Sequence, residues 1–213
     1  MVIDIHAHCL PGALLDAART ESTHFPNIEF IEKDGATSLA FAGRPPTRPI
    51  SSKLQNQQAR IEWMEKQGVH HQTPGGWLDA FGYELPPEEG ADWSRFTNEQ
   101  TLSACKQLTG VTPLATVPLQ DGTLAGAVLR EAVSAGMPGA MIGTQPFGDH
   151  GNLDDPNLDP FWETAAQLRV PIIIHPMFGS NDDRLHDMQM MNAVGRVSDV
   201  SIAISRLLFK GHL

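Results

Sequence analysis

Three histidines stand where short apolar segments end, and their spacing fits the chemistry of a metal ion. His6 and His8 follow residues 2–5, three of which are Val or Ile, and His175 follows the apolar residues 172–174. Side chains alternate along an extended strand, so residues two apart point to one side and His6 and His8 can reach a single point. In parallel α/β folds, active sites gather at the carboxyl ends of the strands, where all three are expected. Three imidazoles suit a catalytic divalent metal with an open coordination position, although each histidine taken alone could be a polar turn or core residue.

Two arginines and a tryptophan are candidates for binding a small acidic substrate. Arg44 and Arg48 lie in the loop of residues 44–49, where prolines exclude regular structure. A guanidinium group matches a carboxylate with two parallel hydrogen bonds, so either arginine could hold a substrate carboxylate or remain a solvated loop charge. Trp77 follows a predicted strand and could form an apolar wall of the pocket or pack as an ordinary core residue.

The elements that must position these residues alternate between strand and helix. Short apolar segments predict strands, and longer segments with capping and stop residues predict helices. Apolar strands joined by helical crossovers are typical of an α/β fold with a parallel sheet covered on both faces. The strand count fits both a doubly wound sheet and an incomplete (β/α)8 barrel. Strands are predicted at residues 2–5, 69–72, 111–117, 139–143 and 170–175, and helices at residues 51–67, 98–108, 123–135, 158–168 and 184–213.

Two segments interrupt this alternation. Residues 28–42 consist of two short apolar runs around Asp34-Gly35, which is the turn pair of a β-hairpin. Together with the proline-rich loop behind it, the hairpin predicts a small insertion, residues 24–50, in a single domain of residues 1–213. Residues 73–97 are rich in glycine, proline and aromatic side chains and are predicted to be a long functional loop.

The composition argues against several classes of protein. The chain of 213 residues has a formal net charge of -10, which does not suit a nucleic-acid-binding surface. Hydrophobic residues make up 41% and charged residues 19%, enough for the core of one globular domain. The apolar runs are far shorter than the ~20 residues of a membrane span. Cys9 and Cys105 are too few for a disulfide framework and no signal segment opens the chain, so we predict a cytoplasmic location.

Five motifs are spread over nearly the whole chain: IDIHAHCLP at residues 3–11, RIEWMEKQGV at 60–69, LATVPLQ at 114–120, GAMIGT at 139–144 and IIIHP at 172–176. They resemble motifs of the amidohydrolase superfamily, and above all of its branch of amino-carboxymuconate-semialdehyde and resorcylate-type decarboxylases. The resemblance implies a (β/α)8 TIM barrel of which about the first five β/α units are present, with the inserted hairpin near the N-terminus. It also implies that His6, His8 and His175 are metal-binding histidines.

By this resemblance the chain is a metal-dependent decarboxylase of a small unsaturated or aromatic carboxylic acid. The ion is expected to be divalent, Zn2+ or else Mn2+, and the protein to be a homodimer. The nearest alternative is a hydrolase of the same superfamily that cleaves a C–C, C–N or ester bond with the same histidines. A third reading is a truncated, inactive fragment, because the family's general-base histidine and last-strand aspartate find no match before residue 213. The catalytic residues therefore stay unassigned.

Overall fold

Parallel β/α units follow one another as in part of a (β/α)8 barrel, in a computed structural model that describes residues 1–177 and 182–212. The first strand is followed by a helix and a two-stranded hairpin, and the later strands alternate with helices. The strands are β1 (Ile3–Cys9), β2 (Ile28–Lys33), β3 (Ala36–Phe41), β4 (His71–Gly76), β5 (Ala140–Gly143) and β6 (Ile172–His175). The α-helices are α1 (Gly12–Thr20), α2 (Ser52–Gln55), α3 (Gln57–Gln67), α4 (Pro87–Cys105), α5 (Gly122–Ser134), α6 (Asp159–Leu168) and α7 (Arg196–Lys210).

The barrel sheet is parallel and consists of two paired units joined by an irregular segment. β1 pairs with β4, and β5 pairs with β6, both in parallel. Residues 111–115 run between the two units. The N–H of Thr112 donates to the carbonyl of Gln72 in β4, and the N–H of Met141 in β5 donates to the carbonyl of Ala115. The segment thus occupies the third strand position of the barrel.

The prediction of a regular strand at residues 111–117 is wrong. The described residues there form two isolated bridges, at Val111 and Ala115, and no continuous ladder. Pro113 in this segment and Pro74 in β4 supply the reason, since proline has no N–H to donate to a neighbouring strand. The sheet is therefore weakest where the two paired units meet.

The long loop predicted at residues 73–97 is wrong at both ends, because residues 73–76 belong to β4 and residues 87–97 to α4. β4 continues to Gly76, and α4 begins at Pro87. A proline at the first helical position sacrifices no intrahelical hydrogen bond, and Glu88 in the first turn complements the helix dipole. Trp93 is one of many residues buried around the helix, and burial on several sides hides the helical period in the sequence.

The hairpin predicted around Asp34-Gly35 is confirmed. β2 and β3 pair antiparallel, with Lys33 opposite Ala36. Asp34 and Gly35 have φ angles of 51° and 76°, the left-handed values that a tight two-residue turn requires. The hairpin packs with α1 and α4 in one apolar cluster, which includes Leu14, Leu39, Phe41, Trp93 and Phe96.

Two predicted helices begin or divide at other positions than expected. The helix predicted at residues 51–67 is split at Asn56, whose side chain accepts a hydrogen bond from the N–H of Ala59 and so caps α3. The helix predicted at residues 184–213 begins only at Arg196, after short 3-10 and π turns. Both departures are local and leave the order of the units unchanged.

The largest apolar core lies where α5, α6 and β5 meet. Leu129, Phe161 and Met141, one from each element, are fully buried there. This core supports β5 and, through it, β6. None of the helices in the described part of the chain is both long and apolar enough to cross a membrane.

We expect Gly139→Ala to destabilise the chain, because a Cβ at this position would lie 2.2 Å from the carbonyl oxygen of Pro171, the residue before β6. The predicted loss is about 1–3 kcal/mol of the free energy of unfolding, as for other overpacked sites, measured by urea denaturation. Gly12→Ala is the matched control, because its Cβ would meet its nearest neighbour, Gln55, at an ordinary 3.7 Å. The control should change the stability by less than about 0.5 kcal/mol, and an equal loss in both variants would contradict the prediction.

Candidate metal centre

Strand β1 carries His6 and His8. The sequence predicts them after the end of the strand, whereas they lie within it. Its pairing with β4 shifts midway: β1 advances three residues, from Asp4 to Ala7, where β4 advances two. His6 lies in this bulge, and its N–H donates to the side chain of Asp4 at 3.0 Å. Bulges redirect side chains at strand ends, and this one sets how the two imidazoles face each other.

His175, the last residue of β6, meets these two histidines. The ring centroids of His6 and His8 lie 5.5 Å apart, and each lies 5.0 Å or less from that of His175. One nitrogen from each of the three residues lies within 4.8 Å of the other two. His175 is only 8% exposed, whereas His6 faces solvent. The structure thus brings together all three residues that the sequence predicts as metal ligands.

Backbone carbonyl groups orient two of the three rings. His8 Nδ1 lies 3.0 Å from the carbonyl oxygen of Gly76, at the end of β4. His175 Nδ1 lies 2.9 Å from the carbonyl oxygen of Pro176. A carbonyl can only accept, so both Nδ1 atoms must carry a proton and both Nε2 atoms keep a lone pair. This is the arrangement by which proteins hold imidazole ligands for a metal.

The surroundings also keep these rings uncharged. Burial lowers the pKa of His175 to about 4, and the nearby His8 and His6 act in the same direction. Burial likewise lowers the pKa of His8 below its ordinary value. Only a neutral imidazole can ligate a metal, so both rings are in the binding form at neutral pH. Three nitrogen donors with one side open fit a divalent ion such as Zn2+ or Mn2+.

Asp199 of α7 ties the helix to the strand ends, and sequence reasoning missed it. Its carboxylate accepts hydrogen bonds from Thr144 Oγ1 at 2.5 Å and from the N–H of Met177 at 2.9 Å. Met177 lies two residues beyond His175, so Asp199 fixes the path of the chain as it leaves β6. An aspartate in the first turn of a helix is common for dipole reasons alone, so no sequence feature distinguished it.

A cavity of about 510 Å³ opens between the loop behind the hairpin and the segment that follows β4. Its lining includes both candidate arginines, Arg44 and Arg48, and also Met177, next to the metal centre. The three histidines are not among the described residues that line it. Apolar and aromatic lining residues are Phe41, Pro46, Leu78, Phe81 and Tyr83.

Arg48 is held at the cavity by Asp79, a second residue that sequence reasoning missed. Its Nε and Nη2 atoms donate to the two carboxylate oxygens at 2.9 and 3.0 Å. The Arg48 guanidinium also lies 5.7 Å from the ring centroid of Trp77, within range of a cation–π interaction. Trp77 is 7% exposed and packs in the core outside the described cavity lining. Arg44 is looser, 3.9 Å from Asp149.

The acidic residues of the cavity differ in their readiness to ionise. Burial raises the pKa of the Glu84 carboxyl, opposed in part by the positive charge of Arg44. At the exposed Asp149, a hydrogen bond with His150 lowers the carboxyl pKa, so this group stays charged.

Comparisons with known proteins agree with this architecture. A family model described as Amidohydrolase matches residues 3–200. The chain is 27% identical over 169 residues to the 2-amino-3-carboxymuconate-6-semialdehyde decarboxylase of Dictyostelium discoideum, which covers 77% of this chain and 46% of that protein.

Solved structures share the fold over nearly all of this chain. The apo form of Metarhizium anisopliae IDCase has a TM-score of 0.78 at 20% identity, covering 100% of this chain and 61% of that one. A dihydroxybenzoic acid decarboxylase from Polaromonas, solved with manganese and the inhibitor 2-nitroresorcinol, has a TM-score of 0.66 at 18% identity, covering 97% and 60%. The chain thus spans about half to three fifths of the length of these proteins.

We expect the metal-free chain to lose stability as the pH falls from about 7 to about 4. The pKa of His175 is lower in the folded chain than its ordinary value of 6.5, so the unfolded chain takes up the proton more readily. Stability that is complete above 6.5 is therefore lost as the pH falls toward the folded value of about 4. His175→Gln should reduce this pH dependence by about 2 kcal/mol, measured as unfolding free energy by urea denaturation at several pH values. An unchanged pH dependence in His175→Gln would show that the imidazole does not carry it.

Proposed function

The chain belongs to the amidohydrolase family, and from this premise we propose that it supplies the metal centre of a decarboxylase acting on a small unsaturated or aromatic carboxylic acid. The observation that carries the proposal is the convergence of His6, His8 and His175, with carbonyl groups holding the Nδ1 protons of His8 and His175. The relatives whose printed names state a decarboxylation supply the reaction class.

The three histidines are the proposed ligands of a divalent ion, Zn2+ or Mn2+. A bound ion of this kind supplies a Lewis acid that stabilises negative charge on oxygen atoms of the reacting molecule. The protein's own part is to hold three neutral imidazoles in one place and to leave one side open to solvent at His6. The hydrolase alternative uses the same histidines, so the reaction class depends on the substrate that the cavity accepts.

The cavity beside the metal centre is the proposed substrate site. Arg48 and Arg44 supply positive charge for a carboxylate, and Phe81 and Tyr83 supply apolar walls for an unsaturated or aromatic body. Asp79 keeps the Arg48 guanidinium in a fixed direction, which lowers the entropy lost when a carboxylate binds. Trp77 supports Arg48 from beneath and does not itself face the cavity.

A homodimer remains our expectation for the assembled protein. In the described part of the chain β1 pairs with β4 on one side and with no strand on the other, and its Ile3 and Ile5 are 48% and 59% exposed. Exposed apolar residues on a strand that is paired on one side favour association.

We expect the purified chain to retain about one divalent ion per molecule after dialysis, as measured by elemental analysis. His8→Ala should lower the metal content about tenfold or more, because it removes a ligand whose ring is already oriented. His24→Ala is the control, since His24 lies in a turn near the hairpin and pairs with Glu21. Metal-free wild-type protein would overturn the proposal and favour the inactive alternative.

We expect Arg48→Ala to weaken the binding of 2,6-dihydroxybenzoate, the ligand in a solved structure of a 2,6-dihydroxybenzoate decarboxylase that is 18% identical to this chain. The expected loss is about 10- to 100-fold, as for hydrogen bonds to a charged group. Resorcinol, which lacks the carboxylate, should bind equally to both proteins. Arg48→Lys should give an intermediate affinity because it keeps the charge and loses the fork. Titration calorimetry measures the affinity of each ligand for the wild-type chain and for both variants, with Arg95→Ala on α4 as the control variant. Equal losses for both ligands would contradict a carboxylate contact.

A further inference from the structure

We infer that Arg60 of α3 is a positioning residue of the metal centre, which fixes the bulged part of β1 that carries His6 and His8. Arg60 touches neither imidazole. It acts through the backbone of His8 and through the side chains of Gln72 and Asp4. The inference rests on the proposed function in one respect, namely that the histidines hold a metal.

Hydrogen bonds lead from Arg60 to the backbone of both histidines. Arg60 Nη2 donates to the carbonyl oxygen of His8 at 2.6 Å, and Nη1 donates to Gln72 Oε1. Gln72 Nε2 donates to Asp4 Oδ2 at 2.7 Å, and Asp4 Oδ1 accepts from the N–H of His6 at 3.0 Å. One guanidinium group therefore holds the His8 end of the strand directly and the His6 bulge through a relay of two side chains.

The bulge makes this support necessary. Where β1 and β4 shift register, regular ladder pairs end at Asp4 and resume at Ala7, so His6 lies in the unpaired stretch. The neighbouring Ile5 is 59% exposed, so packing does not hold the stretch on that side. The Asp4 carboxylate takes the His6 N–H in place of a strand partner, and Gln72, which is 2% exposed, holds that carboxylate.

A hydrogen bond within α3 orients the Arg60 side chain toward His8 and Gln72. Its Nε donates to Gln57 Oε1 at 3.0 Å, one turn earlier on α3. Among the described residues, no carboxylate lies within 4.0 Å of its guanidinium. The fixed fork of an arginine can serve two acceptors at once, which a lysine ammonium on a flexible stem does less well. Arg60 donates to a main-chain carbonyl and to a side-chain amide, so its hydrogen bonds orient the backbone of β1.

The test compares Arg60→Met, Arg60→Lys and Gln72→Met with the wild-type chain, using two readouts. The first is the affinity for Co2+ and the visible absorption of the bound ion, recorded at a temperature where circular dichroism shows each protein folded. The second is the tautomer of His8 in the metal-free chain, read from long-range 1H–15N NMR correlations near pH ~8, where the ring is neutral. Arg130→Met on α5 is the matched control, because the Arg130 side chain donates to Thr164 of α6, away from β1 and β4.

We expect Arg60→Met to weaken Co2+ binding by about 10- to 100-fold, the range seen when partners of metal ligands are removed, and to change the absorption bands. His8 should lose its uniform Nδ1–H tautomer. Arg60→Lys should recover part of both properties, and Gln72→Met should weaken binding less than Arg60→Met because the bond to His8 remains. Arg130→Met should leave both readouts as in wild type.

Two outcomes would overturn the inference. A chain with Arg60→Met that melts earlier yet keeps the wild-type Co2+ affinity, absorption and tautomer would make Arg60 a plain structural link between α3 and β1. If Arg60→Met does not fold, Arg60→Lys decides alone, and wild-type values for both readouts in that variant would refute a role for the fork.

Failure of the proposed function has a different signature. If the wild-type chain binds no Co2+, the metal centre is refuted, and the tautomer of His8 still tests Arg60. A tautomer lost in Arg60→Met and kept in Arg130→Met would then support positioning without a metal, whereas a tautomer unchanged in both would refute it.

Discussion

The hydrogen bonds between imidazole nitrogens and main-chain carbonyl groups are the interaction on which the site depends. The Gly76 carbonyl at the end of β4 and the Pro176 carbonyl just beyond β6 each decide which nitrogen of a histidine carries the proton. Parallel pairing makes this possible, because it brings the carboxyl ends of the strands to one edge. The path of the backbone therefore sets the chemistry of side chains that are far apart in the sequence.

In the cavity, too, a neighbouring group orients the side chain that is proposed to bind. Arg48 projects from an irregular loop that contains several prolines, and a loop alone would not hold a guanidinium in one direction. Asp79, from the segment after β4, supplies that direction with two hydrogen bonds, while Trp77 supports the group from the core. The Arg48–Asp79 pair thus connects the loop behind the inserted hairpin to the segment that follows β4.

The sequence contains enough to find the three histidines that converge and the order of the β/α units, and too little to find the residues that orient them. His6, His8 and His175 are visible because their type and their position after apolar runs are both unusual. Asp79, Asp199 and the relay through Gln72 are not visible, because their roles depend on contacts between distant segments. Apolar composition predicts a strand at residues 111–117 because it indicates burial, whereas the missing N–H groups of Pro74 and Pro113 prevent a continuous ladder. The first turns of helix α4 escape prediction because a helix buried on several sides shows no amphipathic period.

The interruption at the third strand position has a mechanical consequence. It divides the sheet into two strand pairs, β1 with β4 and β5 with β6, which are joined by the few hydrogen bonds of residues 111–115. His6 and His8 belong to one pair and His175 to the other. An ion bound by all three histidines would connect the two pairs, so occupancy of the site and rigidity of the barrel are thermodynamically linked. Binding of such an ion would then slow the exchange of amide protons in residues 111–115 with solvent.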